Sequence, residues 1–251
     1  FIEGKILKDT LEQIDKNMHE HVNNYKYLQE DYKEYIELWI HEVKLPLATS
    51  KMIIENNKNK VTKSIEEELD HIENYIEQAL YYARSSAVEK DYYIKKSNLK
   101  LIVNESIKKN KTSLIEEKVE IKLHDLDNEI NTDSKWITFI LNQLIQNSVK
   151  YRNKDILSYI EIYSKQNKDN TILYLKDNGI GINKAELSRV FDKGFTGTNG
   201  RLGSKKSTGI GLYLCKKLCD KLGIGIELNS SEGKGTEVKI IFPNSSFINL
   251  K

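Results

Sequence analysis

Apolar or intermediate residues fall at positions 7, 11, 14, 18, 21, 25 and 28, in alternating steps of four and three. That spacing predicts a coiled-coil seam on one long helix. Beyond Leu28 the series Tyr32, Ile36, Ile40, Val43 and Leu47 takes successive fours where a heptad requires a three. Such a stutter locally unwinds a supercoil, and here it ends at His41. The stretch "NNKNK" from Asn56 to Lys60 predicts a helix-to-helix turn, and Ser64 with Glu67 forms a capping-box signature near the next helix start. Val61, Ile65, Leu69, Ile72, Ile76, Ala79, Ala83 and Ala87 mark the seam of that second helix. Two long helices joined by a short loop make an antiparallel hairpin. Its apolar stripe is too narrow to close a core, so a symmetric dimer forming a four-helix bundle is expected.

After about residue 97 the pattern changes. The segments "KVEIKL" (118–123), "YIEIYSK" (159–165), "TILYLKD" (171–177), "GIELNS" (225–230) and "EVKIIF" (237–242) alternate or cluster β-branched residues as strands do. Helical stretches lie between them, around 98–116, 133–151 and 208–222. The mixture predicts a sheet covered on one face, an α+β domain. The glycines concentrate in this half.

Composition changes the picture little. The 251 residues are 39% hydrophobic and 30% charged, with 39 Lys and Arg against 37 Asp and Glu. The near-neutral total gives no reason to expect nucleic acid as a partner. Cys215 and Cys219 stand one helical turn apart, which suits neither a fold-stapling disulfide nor, alone, a metal site, so they read as reduced packing residues. No run approaches the roughly 18 apolar residues of a membrane span, and no signal peptide opens the chain. The sequence starts at "FIEGKI" without Met, as a piece of a longer protein would.

Three stretches carry candidate chemistry. In "KDNGIGI" (176–182) a strand ends in Asp177, an acceptor suited to an exocyclic amine, while Gly179 and Gly181 let backbone pass close to a ring. In "STGIGLYLCKKL" (207–218), Gly209 and Gly211 open a helix whose N-terminus attracts phosphate, with Thr208 beside them. The long connection before it, rich in Gly, Lys and Ser, reads as a lid. Its Lys193, Arg201, Lys205 and Lys206 are placed to neutralise a polyphosphate. In "NQLIQNSVKYRN" (142–153), Gln143, Asn147, Lys150 and Tyr151 share one helix face. Asn147 offers an oxygen for Mg²⁺, Lys150 a point charge for phosphate, and Tyr151 a ring for a base or ribose.

Upstream, "WIHEVKLPLA" (39–48) sets His41 beside Glu42 and follows them with Pro46, one of two prolines in the chain. Proline removes a backbone hydrogen bond and clashes with the carbonyl of Glu42, so a bend is expected beside the histidine.

The ordered set His41–Pro46, Gln143–Tyr151, Asp177–Gly181, Phe191–Phe195 and Gly209–Gly211 resembles the H, N, G1, F and G2 boxes of bacterial two-component sensor histidine kinases. The wording "YKEYIELWIHEVK", "YYARSSAVEKDYYIKKSNL" and "TDSKWITFILNQLIQNSVKYRN" is similar to the BceS-like branch, whose kinases work with ABC exporters in antimicrobial-peptide resistance. The resemblance implies a signalling coiled coil at 1–35, a dimerisation and phosphotransfer hairpin at 36–97, and an α+β sandwich ATP-binding domain of the histidine-kinase/gyrase type at 98–251. It implies that His41 accepts the γ-phosphoryl group of ATP, with Glu42 holding or taking the proton of the other ring nitrogen. Asp177 would bind the adenine amine and Asn147 the Mg²⁺. Gly179, Gly181, Gly209 and Gly211 would give backbone access and lid hinges, and Thr236 would close the fold beneath the adenine. Gln143 stands where many relatives carry Asn and would still reach the metal shell. A response-regulator receiver domain, a second copy of the chain and an ABC exporter are the implied partners, and the cytoplasmic side of a cell membrane the implied location.

One position departs from the pattern. Four residues after the histidine the family generally carries Thr or Asn, thought to orient water for dephosphorylating the partner, and here stands Leu45. Leucine cannot orient water, which implies weak phosphatase activity by that route. His41, Leu45, Ala48 and Met52 form one helical stripe, suited either to a receiver domain or to the ATPase domain. Two rivals of other classes remain: a gyrase- or chaperone-type ATPase clamp, and a catalytically silent dimeric scaffold. The first lacks a reason for the His41–Glu42–Pro46 set, and the second for the intact glycine pairs.

Overall fold

A computed structural model describes residues 2–86, 92–198 and 208–244. Contacts divide the chain into two units, Phe1–Asp91 and Tyr92–Lys251.

The first unit is two helices, α1 (Ile2–Glu55) and α2 (Lys60–Ser86). They run antiparallel, pinned at two levels by Glu37 with Arg84 at 2.8 Å and by Lys51 with Asp70 at 2.6 Å and Glu73 at 2.5 Å. Ile40, Leu47 and Ile76 form the buried core between them, flanked by Ile36, Val43, Leu69, Ala79 and Leu80. Ile36, Ile40, Val43 and Leu47 of the stutter series thus pack against α2, whereas Tyr32 and, from the earlier seam, Leu7, Leu11, Ile14, Met18, Tyr25 and Leu28 stand exposed on the single chain. The α2 seam divides as well. Leu69, Ile76, Ala79 and Ala83 turn inward, while Val61, Ile65 and Ile72 remain exposed, and Ala87 lies outside the described residues.

Helix α2 starts one turn earlier than the Ser64–Glu67 signature implies. Asn59 is its cap: the Asn59 Oδ1 accepts from the backbone N–H groups of Val61 at 2.8 Å and Thr62 at 3.0 Å. Asparagine fits this role better than a residue already inside the helix, where Ser64 instead donates to the Lys60 carbonyl. Helix α1 continues through Pro46 to Glu55.

The second unit opens six residues earlier than the expected boundary at 98. Strand β1 (Lys95–Asn98) pairs antiparallel with β3 (Glu129–Thr132), and the Tyr93 N–H donates to the Asp133 carboxylate at 2.9 Å. Neither short strand shows a period-2 apolar pattern long enough to read from sequence. The expected single helix over 98–116 is two, α3 (Leu99–Lys109) and α4 (Lys111–Glu116). Asn110 interrupts them, its side-chain amide donating to the Ser106 carbonyl and to Asn142 Oδ1.

The main sheet has the order β2-β4-β5-β7-β6, from β2 (Glu120–His124), β4 (Tyr159–Gln166), β5 (Asn170–Asp177), β6 (Gly225–Ser231) and β7 (Gly235–Pro243). Among the described residues β2–β4 is the one parallel pair of this sheet. Strict alternation buries Ile160 and Ile162 of β4, Leu173 and Leu175 of β5, and Val238, Ile240 and Phe242 of β7 on one face. Helix α5 (Ser134–Lys150) supplies Ile137, Phe139, Ile140, Leu141 and Ile145 to the same core, and α6 (Gly211–Leu222) supplies Leu214 and Leu218. On the opposite face His124, Tyr163 and Tyr174 stack at 4.9 and 4.7 Å. The unit is therefore a two-layer α+β sandwich.

Cys215 and Cys219 are free and buried on α6. Burial pushes the Cys219 thiol up to about 12 and raises that of Cys215 as well, so both stay neutral packing groups. Among the described residues no helix is long and apolar enough to cross a membrane. Ile160, wholly buried on β4, tests this core: Ile160→Ala lowers the unfolding free energy by about 2 to 5 kcal/mol in urea titrations.

Candidate functional site

Strand β5 delivers Asp177 to the buried side of the sheet at its C-terminal end, where the residue is only 8% exposed. A carboxylate stripped of water in this way needs donors, and the chain supplies three. Oδ1 accepts from the N–H of Gly179 at 2.9 Å and of Thr236 at 3.1 Å, and Oδ2 from the Ser148 hydroxyl at 2.7 Å. Burial pushes the carboxyl above its usual range, and the three donors oppose that rise. The outcome is an acceptor group held at a strand end by three different segments.

The backbone around it is drawn tight. Gly179 lies so close to the end of α5 that a Cβ would stand 2.5 Å from the Tyr151 carbonyl, which accepts from the Ile180 N–H at 3.0 Å. Gly181 adopts φ +70°, and a Cβ there would meet the Ser231 carbonyl at 2.0 Å. The loop is stitched to the β6–β7 turn by Gly233 N–H to Ile180 carbonyl at 2.7 Å and Ile182 N–H to Ser230 Oγ at 2.9 Å. The left-handed glycine conformation is what permits this approach. Asn178 points the other way, accepting from the Tyr159 N–H and donating to the Leu157 carbonyl.

Helix α5 brings the remaining groups. Asp133 caps it by accepting from the N–H groups of Lys135 and Trp136, and its last turn ends where the Tyr151 N–H donates to the Asn147 carbonyl. Gln143 is 4% exposed, and its Oε1 lies 2.8 Å from where a Cβ on Gly211 would stand. It sits beneath the N-terminus of α6 rather than on an open face. Asn147 is half-buried, and Lys150 Nζ lies 5.6 Å from the centre of the Tyr151 ring. Among the described residues no group of three acids, histidines or cysteines could hold a metal ion. A lone amide oxygen such as that of Asn147 suits Mg²⁺, which takes few protein ligands and relies on phosphates and water for the rest.

The described residues on either side of the segment expected to be a lid meet. The Gly194 N–H donates to the Gly209 carbonyl at 3.1 Å, and a Cβ on Gly209, which has φ +68°, would stand 2.4 Å from the Gly194 carbonyl carbon. Arg189 lies over the Phe195 ring at 4.6 Å. Glu186 Oε1 accepts from both the N–H and the hydroxyl of Thr198, at 2.9 and 2.8 Å. Lys193 is exposed on the turn before Gly194, and Thr208 Oγ1 accepts from the Ile210 N–H at 3.3 Å. Arg201, Lys205 and Lys206 lie outside the described residues.

In the helical unit His41 and Glu42 are exposed on α1, as is Leu45 at 67%. The second unit thus gathers Asp177, Gly179, Gly181, Tyr151 and Thr236, and separately joins Gln143 to Gly211 and Gly194 to Gly209. Sequence reasoning missed Ser148, Glu186 and Gly235. Gly235, at φ +91°, leaves room for the Asp177 carbonyl, which a Cβ would meet at 2.0 Å. The glycine pair of "GKGTEV" (233–238) was its available signal, whereas nothing in the order of residues links Ser148 to Asp177.

Comparison with known proteins gives the family and the fold. The family described as "Histidine kinase-, DNA gyrase B-, and HSP90-like ATPase" matches residues 132–246. The sensor protein BceS of Halalkalibacterium halodurans is 30% identical over 96% of this chain and 72% of its own length. The sensor histidine kinase YxdK of Bacillus subtilis is 36% identical over 83% of this chain and 64% of its length. The sensor protein kinase GraS of Staphylococcus aureus is 32% identical over 92% and 63%. The chain therefore spans just under two thirds of YxdK and GraS. Among solved structures, full-length ShkA in complex with AMPPNP superposes with a TM-score of 0.61 at 16% identity, covering 84% of this chain and 45% of that one. The Acinetobacter baumannii histidine kinase AdeS does so with 0.54 at 19% identity, covering 82% and 98%. Both report likeness of fold.

The burial of Asp177 carries a testable sign. Because the folded carboxyl holds its proton more tightly than the unfolded one, ionisation costs the fold stability. That cost is absent below the unfolded pKa and is complete once pH has risen through the folded one. Asp177→Asn, which keeps an acceptor for Gly179 and Thr236, melts at the same or a higher temperature than the parent at neutral pH, and the difference shrinks towards about pH 4. A lower melting temperature across that whole range would mean that the charge itself holds the loop.

Proposed function

The chain belongs to the sensor histidine kinases, and on that premise we propose that it binds ATP, transfers the γ-phosphoryl group to His41 and passes it on to an aspartate of a response regulator. The observation that carries this reading is the buried Asp177 carboxylate, held by three donors at a strand end beside glycines that let the surrounding backbone close around it. An ionised carboxylate is acceptor-only, so it recognises a donor such as the adenine amine.

In the proposed reaction Nε2 of a neutral His41 imidazole attacks the γ-phosphorus while the bond to the β,γ-bridging oxygen breaks and ADP leaves. Glu42 takes or holds the Nδ1 proton. Asn147 would contribute its amide oxygen to Mg²⁺, which neutralises phosphate charge when bound. Lys150 and Lys193 add positive charge on the phosphate side, with Arg201 and Lys205 in the lid. Tyr151 and Thr236 border the base, Gln143 supports Gly211 and the helix behind it, and Thr208, Gly209 and Gly211 form the hinge at the α6 N-terminus. The phosphoryl group then moves from His41 to the regulator's carboxylate oxygen, and the imidazole is regenerated.

The exposed apolar seams of α1 and α2 support a homodimer that completes a four-helix bundle. We assign residues 1–35 to signal transmission, 36–91 to dimerisation and phosphotransfer, and 92–251 to ATP binding. The likeness to BceS and GraS supports a membrane sensor of which this chain is the cytoplasmic portion, acting with an ABC exporter in antimicrobial-peptide resistance. The exposed stripe His41, Leu45, Ala48 and Met52 suits a receiver domain.

Incubation with Mg²⁺ and γ-labelled ATP tests the reading: the parent takes up acid-labile, alkali-stable label, and His41→Gln and Asp177→Asn take up none. Label retained by His41→Gln would sink it. Leu45 gives a second expectation. Leu45→Thr speeds loss of phosphate from the phosphorylated regulator by about tenfold or more, since a hydroxyl aligned on attacking water recovers a transition-state contact. An unchanged rate would show that Leu45 is not what limits dephosphorylation.

A further inference from the structure

Asp177 has a partner that neither motif order nor the glycine pattern announces. Ser148 is the residue after Asn147 on α5, but its side chain turns to the opposite side, into the protein, where it is buried. Its hydroxyl reaches across from the helix layer to the sheet and donates to Asp177 Oδ2 at 2.7 Å. The other two donors, from Gly179 and Thr236, both go to Oδ1. A carboxylate has about four acceptor positions. Three are filled by the chain, and the vacancy is on the oxygen that Ser148 holds.

We infer that Ser148 is a positioning residue that makes this site select a 6-amino purine over a 6-oxo purine. The inference rests on the nucleotide reading above. Without a donor on Oδ2 the Asp177 carboxylate would be anchored through one oxygen, free to rotate about its last bond. It would also lose one of the three donors that oppose protonation in a buried place. A protonated Asp177 offers an O–H to a ring carbonyl and no longer discriminates against it. With Ser148 in place, Oδ2 stays an aimed, ionised acceptor, which pairs with the amine of adenine and faces the 6-oxo group of hypoxanthine lone pair to lone pair.

The test uses the whole chain, with ADP and inosine diphosphate as ligands so that no phosphoryl transfer occurs during calorimetric titration. The parent binds ADP more tightly than inosine diphosphate. Ser148→Ala loses about tenfold in ADP affinity, the scale of a hydrogen bond to a charged group, and less than about twofold for inosine diphosphate. Ser148→Thr, which keeps the hydroxyl, retains the preference. Equal losses for both ligands, or no loss, would overturn the inference, because a merely structural serine affects both nucleotides alike. A parent that binds both equally would overturn it while leaving nucleotide binding intact. A parent that binds neither would remove the nucleotide reading itself, and this inference with it.

Discussion

The second unit is organised around one requirement, that a carboxylate placed out of water must be supplied with donors. Asp177 meets it by drawing three segments together: the loop that follows its own strand, the start of β7 and the inner side of α5. Each donor has a structural cost that shapes its surroundings. Gly179 must stay free of side chain against the Tyr151 carbonyl, and Gly235 must take a left-handed conformation against the Asp177 carbonyl. The α5 end, the β6–β7 turn and the strand end are therefore locked in register by a single side chain. What remains open is one acceptor position, directed at whatever ligand enters.

The turn after Val190 and the approach to α6 follow from the same economy. They are joined by the Gly194–Gly209 hydrogen bond. Glu186 holds the near end down through Thr198, and Gln143 fills the space beneath Gly211. Gly209 and Gly211 serve close approach, since a Cβ on either would strike the Gly194 backbone or the Gln143 side chain, whereas Gly194 faces open space and supplies a left-handed turn at φ +74°.

The helical unit works on a different principle. Its core is a thin line of Ile40, Leu47 and Ile76 with their flanking residues, reinforced by ion pairs at both levels of the hairpin. Ion pairs that stay partly open to water add little stability, and much of the apolar stripe of α1 and α2 is exposed on the single chain. His41 sits outside that line, at the point where the apolar pattern changes phase and the stripe turns from the early seam towards α2.

Much of this was legible in sequence, and the reasons differ by residue. Periodicity alone located α1, α2, α5 and the five strands of the main sheet, because burial on one face imposes a repeat that composition cannot hide. The ordered boxes pointed to Asp177, the glycine pairs and the α5 face. The start of α2 lies a turn before the Ser64–Glu67 signature because the cap is Asn59, a residue the turn reading of 56–60 absorbed and only its backbone partners reveal. β1 and β3 were invisible because four-residue strands carry no period. Gln143 looked like a surface neighbour of Asn147, yet it is buried against Gly211. What the sequence by itself determined was the kinds of element and the chemistry available, since both follow from local spacing. Only the tertiary structure decided that Ser148, Gly179 and Thr236 all serve one carboxylate. Hydrogen bonds across 29 and 59 residues of chain leave no periodic trace in either partner.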